Sequence, residues 1–178
     1  MSRSVGVSVE RLARHTDADI DGLTDLLVDC VAGGAGVGFL DPLDPAQAAD
    51  WWRSVLDAHG AVTWVARDDA GRIVGHVRLL LAAMPNSPHR AEVSKLLVRS
   101  RARRAGAATA LLSELEAWAR AHGRTRLVLD TQTGSSAQRL YEHLGWSVVG
   151  DIPDFALTTA GGLTSTTVMT KKVAPITT

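Results

Sequence analysis

The sequence has one cysteine, Cys30, among 178 residues, so no internal disulfide framework can staple the fold and a reduced, cytoplasmic setting is the expectation. Charge of either sign is not in excess, because 19 lysines and arginines balance 19 aspartates and glutamates. No long-range field therefore draws the chain to nucleic acid or an anionic membrane. Aromatic residues are few, at 4%, which further weakens a nucleic-acid reading. Lysine is scarce too: sixteen of the nineteen basic residues are arginine. With alanine abundant, this first suggests a coding bias, so the arginine count alone argues little. No run approaches about 18 uninterrupted apolar residues, and the greasiest stretch, residues 73–84, is broken by His76 and Arg78. The opening MSRSVGVSVE lacks an apolar core of signal-peptide length. The six histidines have no metal-ligand spacing, and with one cysteine no zinc site or other metal is expected.

What is there fits one domain with a sizeable core, expected over 1–178 with 173–178 as a tail. Val5, Val7 and Val9 alternate with smaller or polar residues and open the chain as a strand. Thr16 or Asp17 then caps a helix in which Ile20, Leu23, Leu26/Leu27 and Cys30/Val31 recur at helical spacing until Gly33-Gly34 ends it. Residues 33–39 (Gly-Gly-Ala-Gly-Val-Gly-Phe) are too flexible for a helix and too apolar for a plain linker, which makes them, with Phe39, a candidate substrate loop. Asp44-Pro45 is an N-cap with proline at the first helical position of a helix through Trp51-Trp52 toward His59-Gly60. Adjacent tryptophans cannot share one face. Either one packs while the other lines a cleft or stays partly exposed, or both are core; exposed tryptophans would also suit a homodimer contact. Residues 61–67 and 72–84 read as strands joined by the hairpin turn Asp68-Asp69-Ala70-Gly71. Later segments read as strand (126–131), helix (135–144), strand (146–150), loop (151–162) and closing strand (163–172). The order is α/β with a mixed sheet.

The centre of this plan is residues 91–121. Residues 91–98 are apolar or β-branched except Glu92, Ser94 and Lys95, the pattern of a strand covered on both faces with a few polar groups placed in it. An arginine-dense turn follows, and then a helix whose Ala108, Leu111, Leu112, Leu115 and Trp118/Ala119 share one face. Gly106 leaves the mouth of that helix free of side chain. A helix N-terminus offers unpaired N–H groups and partial positive charge to a phosphate, and Arg99, Arg101, Arg103 and Arg104 stand just upstream. The bland alternative is a solvated basic turn.

At these residues the chain resembles the GNAT superfamily of N-acetyltransferases, whose Arg/Gln-x-x-Gly-x-Gly/Ala signature matches Arg103-Arg104-Ala105-Gly106-Ala107-Ala108, with Ala108 where glycine is more usual. A second signature, Asn-x-x-Ala-x-x-Leu-Tyr-x-x-Leu-Gly-Phe, is matched by residues 134–146, with Gly134 where asparagine is common. The resemblance implies a GNAT fold: a mixed, mostly antiparallel sheet of six to seven strands splayed at its centre, with about four helices. It further implies that Arg103, Arg104, Ala105, Gly106, Ala107, Ala108 and Thr109 wrap the pyrophosphate of acetyl-CoA, that Leu96, Leu97 and Val98 pair with its pantetheine arm and hold the oxyanion, and that Ser136 adds a contact. Tyr141 would protonate the departing thiolate; from spacing alone it is equally a core tyrosine.

Two carboxylates could serve the amine. Glu92, in what reads as a buried strand, must be paired, solvated by a cleft or shifted in pKa, conditions shared by a general base; the alternative is an ion pair with Lys95 or Arg78. Asp130 ends a strand, where ligands tend to bind in α/β sheets; the alternative is a cap for the turn at 131–134. The loop at 33–39, the tracts Arg90-Ala91-Glu92-Val93 and Lys95-Leu96, and Leu129-Asp130-Thr131 resemble the tabtoxin-resistance acetyltransferase subgroup. The implied activity is acetyl transfer from acetyl-CoA to a primary amine of a small molecule, with Phe39, Glu92 and Asp130 at the substrate. A non-catalytic acyl-CoA-binding sensor is the rival from another class.

Overall fold

Among the described residues, three helices begin where a side chain can accept the free N–H groups of the first turn, and one does not. The computed structural model describes residues 6–174. Thr16 caps α1 (Asp17–Ala32) in a reciprocal box with Asp19, Asp44 caps α2 (Pro45–Leu56), and Ser135 caps α4 (Ser136–His143). The N-cap of α3 (Ala107–Ala121) is Gly106, which supplies no side-chain acceptor and sits at φ +82°. Only glycine adopts that conformation without strain. The strands are β1 (Ser8–Arg11), β2 (Ala61–Arg67), β3 (Ile73–Leu81), β4 (Arg90–Val98), β5 (Arg126–Gln132), β6 (Ser147–Leu157) and β7 (Leu163–Lys172). A 3-10 turn, Ser100–Ala102, joins β4 to α3. Val5, assigned above to the first strand, lies outside the described residues.

The seven strands form one sheet in the order β1-β2-β3-β4-β5-β7-β6. Every neighbouring pair is antiparallel except β4–β5, whose parallel register runs from Arg90↔Arg126 only to Glu92↔Val128. Beyond that point the two strands diverge, which is the central splay expected. α1 and α2 cover one face over Leu23, Leu26, Leu27, Trp52, Val65 and Leu97; α3 and α4 cover the other over Leu79, Leu111, Leu115, Leu127, Tyr141 and Met169. Gly75 on β3 permits the close approach of α3, since a Cβ there would lie 2.9 Å from Leu111 Cδ1. Val173, placed in the tail above, is buried, and its N–H donates to the Thr125 carbonyl at 3.0 Å. Among the described residues no helix is long and apolar enough to cross a membrane.

Several boundaries differ from the sequence reading for identifiable reasons. β3 ends at Leu81 rather than 84, because the Met84 carbonyl accepts from Ser87 N–H in the turn before β4. Residues 151–157, read as loop, continue β6, which pairs with β7 as far as Leu157↔Leu163 across a register shift between Ile152 and Ala156. Pro153, with no N–H, and Asp154 at φ +49° fall inside that irregularity, which an edge strand tolerates and a central one does not. No tryptophan is exposed: Trp52, Trp64 and Trp146 are buried, and Trp51 and Trp118 partly so. Most of the exposed large apolar residues among those described lie instead on β6, at Val148, Val149, Ile152, Phe155 and Leu157, with Leu40, Met84 and Leu163 elsewhere.

β4 carries a bulge opposite His76 to Arg78, with Lys95 at φ +55°. Strict alternation from Ala91 and Val93 would send residue 97 to the α3 side. The bulge shifts the phase by one, and Leu97 packs in the α1/α2 core. His76 fastens this irregularity: its Nδ1 lies 2.8 Å from the Lys95 carbonyl. A carbonyl only accepts, so Nδ1 carries the proton, and the buried Nε2 has no partner. Burial lowers the His76 pKa from the usual 6.5 to about 3. Below about pH 6.5 the unfolded chain thus binds a proton that the folded chain refuses, and stability falls with pH until about 3. The expected slope from this group is ~1.4 kcal/mol per pH unit. Chemical denaturation between pH 6 and 4.5 should show that slope in the wild type, flattened in His76→Asn, which keeps a donor and loses the titration. Equal slopes would refute the assignment.

Candidate active site

The splay sets the geometry. Successive amides of a strand point alternately to its two sides, so from Val93 to Val98 the amides turned away from β3 face the wedge between β4 and β5 rather than a ladder partner. Leu96, Leu97 and Val98, expected to pair with a pantetheine arm, form this edge. At its far end the chain turns through Ser100–Ala102 into the uncapped N-terminus of α3. Arg103, Arg104, Ala105, Gly106 and Thr109 are exposed there, Ala108 is half-buried, and Ala107 is buried beneath α3. The N–H groups of the first α3 turn have no side-chain acceptor, and Arg104 at φ +64° and Gly106 shape the approach to them.

α1 fastens this turn, a feature that sequence reading missed. Asp29 accepts from Ser100 N–H at 2.8 Å and from Ser100 Oγ at 2.6 Å. Burial opposes ionisation of Asp29, but these two hydrogen bonds and the neighbouring Arg99 and Arg103 charges outweigh it and hold its pKa below the usual carboxylate range. Cys30, on the same helix end, points its buried Sγ at the Val98 carbonyl, 3.5 Å away. Burial raises its pKa, so it is a packing thiol.

Glu92 corrects the sequence reading. β4 is not covered on both faces at this point: Ala91 and Val93 are buried toward α3, but Glu92 is exposed on the opposite face at the last paired step of β4 and β5. Among the described residues no ion pair closes on Glu92, from Lys95, Arg78 or elsewhere. Asp130 also lies within its strand rather than ending it, because β5 continues to Gln132. It is exposed, and its Oδ2 accepts from the buried Thr166 hydroxyl at 2.7 Å. Leu127 and Leu129 pack toward α3, so alternation puts Asp130 on the same face as Glu92. Tyr141 is buried against Trp146, ring centroids 5.5 Å apart. Burial, then the Asp130 charge, raises its pKa, so the phenol keeps its proton at neutral pH. Ser136 is exposed at the first position of α4; the capping role belongs to Ser135.

The loop at 33–39 lies along the α1/α2 side of the wedge. A side chain at Gly33 would reach within 3.3 Å of the Arg103 guanidinium, one at Gly36 within 3.0 Å of Gln132 Oε1, and one at Gly38 within 3.6 Å of Lys95 Nζ. Phe39 meets the Trp51 ring edge-on at 5.5 Å, and Lys95 Nζ sits 5.4 Å from the centroid of the same ring. The sequence thus names Phe39, Glu92 and Asp130, and the fold brings them to one side of the sheet. The position of Lys95 on that side is set by the bulge.

The chain matches the acetyltransferase (GNAT) family over residues 23–146, which includes both the turn at 103–109 and the tyrosine helix. It belongs to that family. A relative from Azospirillum brasilense, an uncharacterised N-acetyltransferase in the hisH-hisA intergenic region, is 32% identical over 128 residues, 71% of this chain and 76% of that protein. Among solved structures, a GCN5-related N-acetyltransferase from Kribbella flavida superposes with TM-score 0.75 at 25% identity, covering 93% of this chain and 97% of that one. A phosphinothricin acetyltransferase from Sinorhizobium meliloti, solved with acetyl-CoA, has the same fold (TM-score 0.74, 21% identity, 94% of this chain and 89% of that one).

The Asp29 to Ser100 clamp can be tested in isolation. Asp29→Ala should cost about 1–3 kcal/mol of stability and speed hydrogen exchange at the Ser100 amide ahead of the amides of β4. Unchanged protection at that amide would show that the clamp does not hold the turn.

Proposed function

We propose that this GNAT acetyltransferase moves the acetyl group of acetyl-CoA to a primary amine of a small molecule, an amino-acid-like antibiotic or toxin whose acetylation gives self-protection or resistance in the cytoplasm. The observation that carries the reading is the wedge beyond Glu92↔Val128, flanked by the uncapped α3 terminus at one end and by two exposed carboxylates on one face. The residues present suit the co-substrate. Free N–H groups and exposed guanidinium groups at Arg103 to Thr109 would take a pyrophosphate, the β4 edge at Leu96 to Val98 would take the amides of the arm as an added strand, and Ser136 lies at the adjoining helix start. Acetyl-CoA supplies the activated acyl group.

The chain's own residues manage charge and protons. Glu92 and Asp130 hold the incoming ammonium and accept its proton, freeing the nitrogen lone pair. The nitrogen–carbon bond forms as the carbon–sulfur bond breaks, and Tyr141, kept protonated by burial, gives its proton to the departing sulfur. Amides near Leu97 and Val98 face the carbonyl oxygen. The toxin assignment rests on the loop and strand tracts that resemble the tabtoxin-resistance subgroup, and a fold neighbour that is a phosphinothricin acetyltransferase is consistent with it. A homodimer contact, if the chain forms one, falls to the exposed apolar side of β6 rather than to the tryptophans.

Release of free thiol from acetyl-CoA over an amine panel including amino-acid antibiotics tests the reading, and no turnover of any amine would sink it. Glu92→Gln and Asp130→Asn should each lower kcat by roughly 10- to 100-fold while calorimetric affinity for CoA changes by less than about twofold. Tyr141→Phe should behave in the same way. A parallel loss of CoA affinity would contradict these roles.

A further inference from the structure

Among the described residues, two cations on the α2 side of the sheet close no ion pair. Arg78 on β3 is 6% exposed; it donates to the Val55 carbonyl at the end of α2 over 2.7 Å, and its Nε has no partner. Lys95 on β4 is half-buried beneath Trp51 and Gly38, held there by a backbone conformation that only glycine adopts freely. Arg78 stands opposite Ser94 in the β3–β4 register, one residue from Lys95. Among the described residues no ion pair closes on either side chain. Burial lowers both pKa values, and the Arg78 charge lowers that of Lys95 further, while Asp130 and Glu92 draw Lys95 back toward the charged form. Burying unpaired like charges beside each other costs stability. A strained backbone that sets one of them against the 33–39 loop and the Trp51 ring is the kind of outlier found where a ligand binds.

Resting on the acetyltransferase reading above, we infer that Arg78 and Lys95 form a carboxylate subsite, so that the amine acetylated belongs to an amino acid. Its ammonium faces Glu92 and Asp130, its carboxylate lies toward the Lys95 ammonium and the Arg78 guanidinium, and the Phe39–Trp51 edge gives its side chain an apolar wall. The cleft is then complementary to a zwitterion: two carboxylates for the positive end and two cations for the negative end. A planar carboxylate matches the guanidinium fork and relieves the repulsion between the cations. Lys95 and Arg78 position the substrate and take no part in proton transfer.

The experiment compares acetylation of L-methionine, L-leucine and L-glutamate with that of their carboxamides. The amine of a carboxamide is the less basic, so a preference for the acid runs against the intrinsic supply of free amine. The wild type should favour the acids by about tenfold or more in kcat/KM. Lys95→Met should raise KM for the acids by about tenfold, leave kcat within about twofold, and leave the carboxamides and CoA affinity unmoved. Lys95→Gly, which relieves the positive φ, should lose the same preference from a fold at least as stable, and Lys95→Arg should keep most of it. Equal use of acid and amide by the wild type, or equal KM shifts for both in Lys95→Met, would overturn the subsite while leaving acetyl transfer intact. If no amine is turned over, the acetyl-transfer reading fails. The subsite is then judged by thermal shift with N-acetyl-L-methionine against its amide: stabilisation by the acid alone, lost in Lys95→Met, supports it, and no difference between the two compounds overturns it.

Discussion

The parallel hydrogen bonding of β4 to β5 stops after three register steps, and the rest of the molecule is arranged around that stop. A sheet interior normally satisfies every strand amide, and here the amides of half of β4 are left facing a gap. The gap is kept open from both sides. β5 is tied outward along its whole length to β7, and β4 is tied inward to β3 and, at its end, to α1 through Asp29 and Cys30. A bulge fastened by a neutral histidine lets β4 change face midway, so that the residues before it serve the mouth of the gap and those after it serve its floor.

Local chemistry was legible in the sequence. The caps at Thr16 and Asp44, the hairpin at 68–71 and the glycine at the start of α3 each depend on a few adjacent residues whose types are diagnostic. So was the central strand-turn-helix, because its polarity pattern and its glycine point the same way. The bulge was not legible. It contains neither glycine nor proline, and its only trace is a lysine where a core residue would stand. Its cause lies nineteen positions away at His76, a contact that only strand pairing creates. The exposure of Glu92 was hidden for a related reason: apolar neighbours suggested a covered strand, and the divergence of β5 uncovers one face. The far half of β6 was read as loop because Pro153 and Asp154 are poor strand residues, and an edge position excuses them.

The overall neutrality of the chain conceals a local segregation of charge. Most of the ionic pairs that the fold does make lie away from the wedge: Arg67 with Glu10 and Asp19 near the first strands, and Lys171 with Glu116 beneath α3. These satisfy structure. Around the wedge, Glu92, Asp130, Arg78 and Lys95 are near enough to influence one another and yet form no direct pairs. These four groups lie where the proposed substrate would enter, free to meet charges that arrive from solution.

The solitary thiol also determines how the protein can be observed. Cys30 is 1% exposed, its proton is held by burial, and its sulfur is turned to a backbone carbonyl at the root of β4. A thiol-reactive dye therefore meets a folded chain that is optically silent, and any colour that develops during turnover belongs to the small molecule in solution. The same dye becomes a reporter of opening once α1 lifts from the sheet, so one reagent distinguishes a working enzyme from an unravelling one.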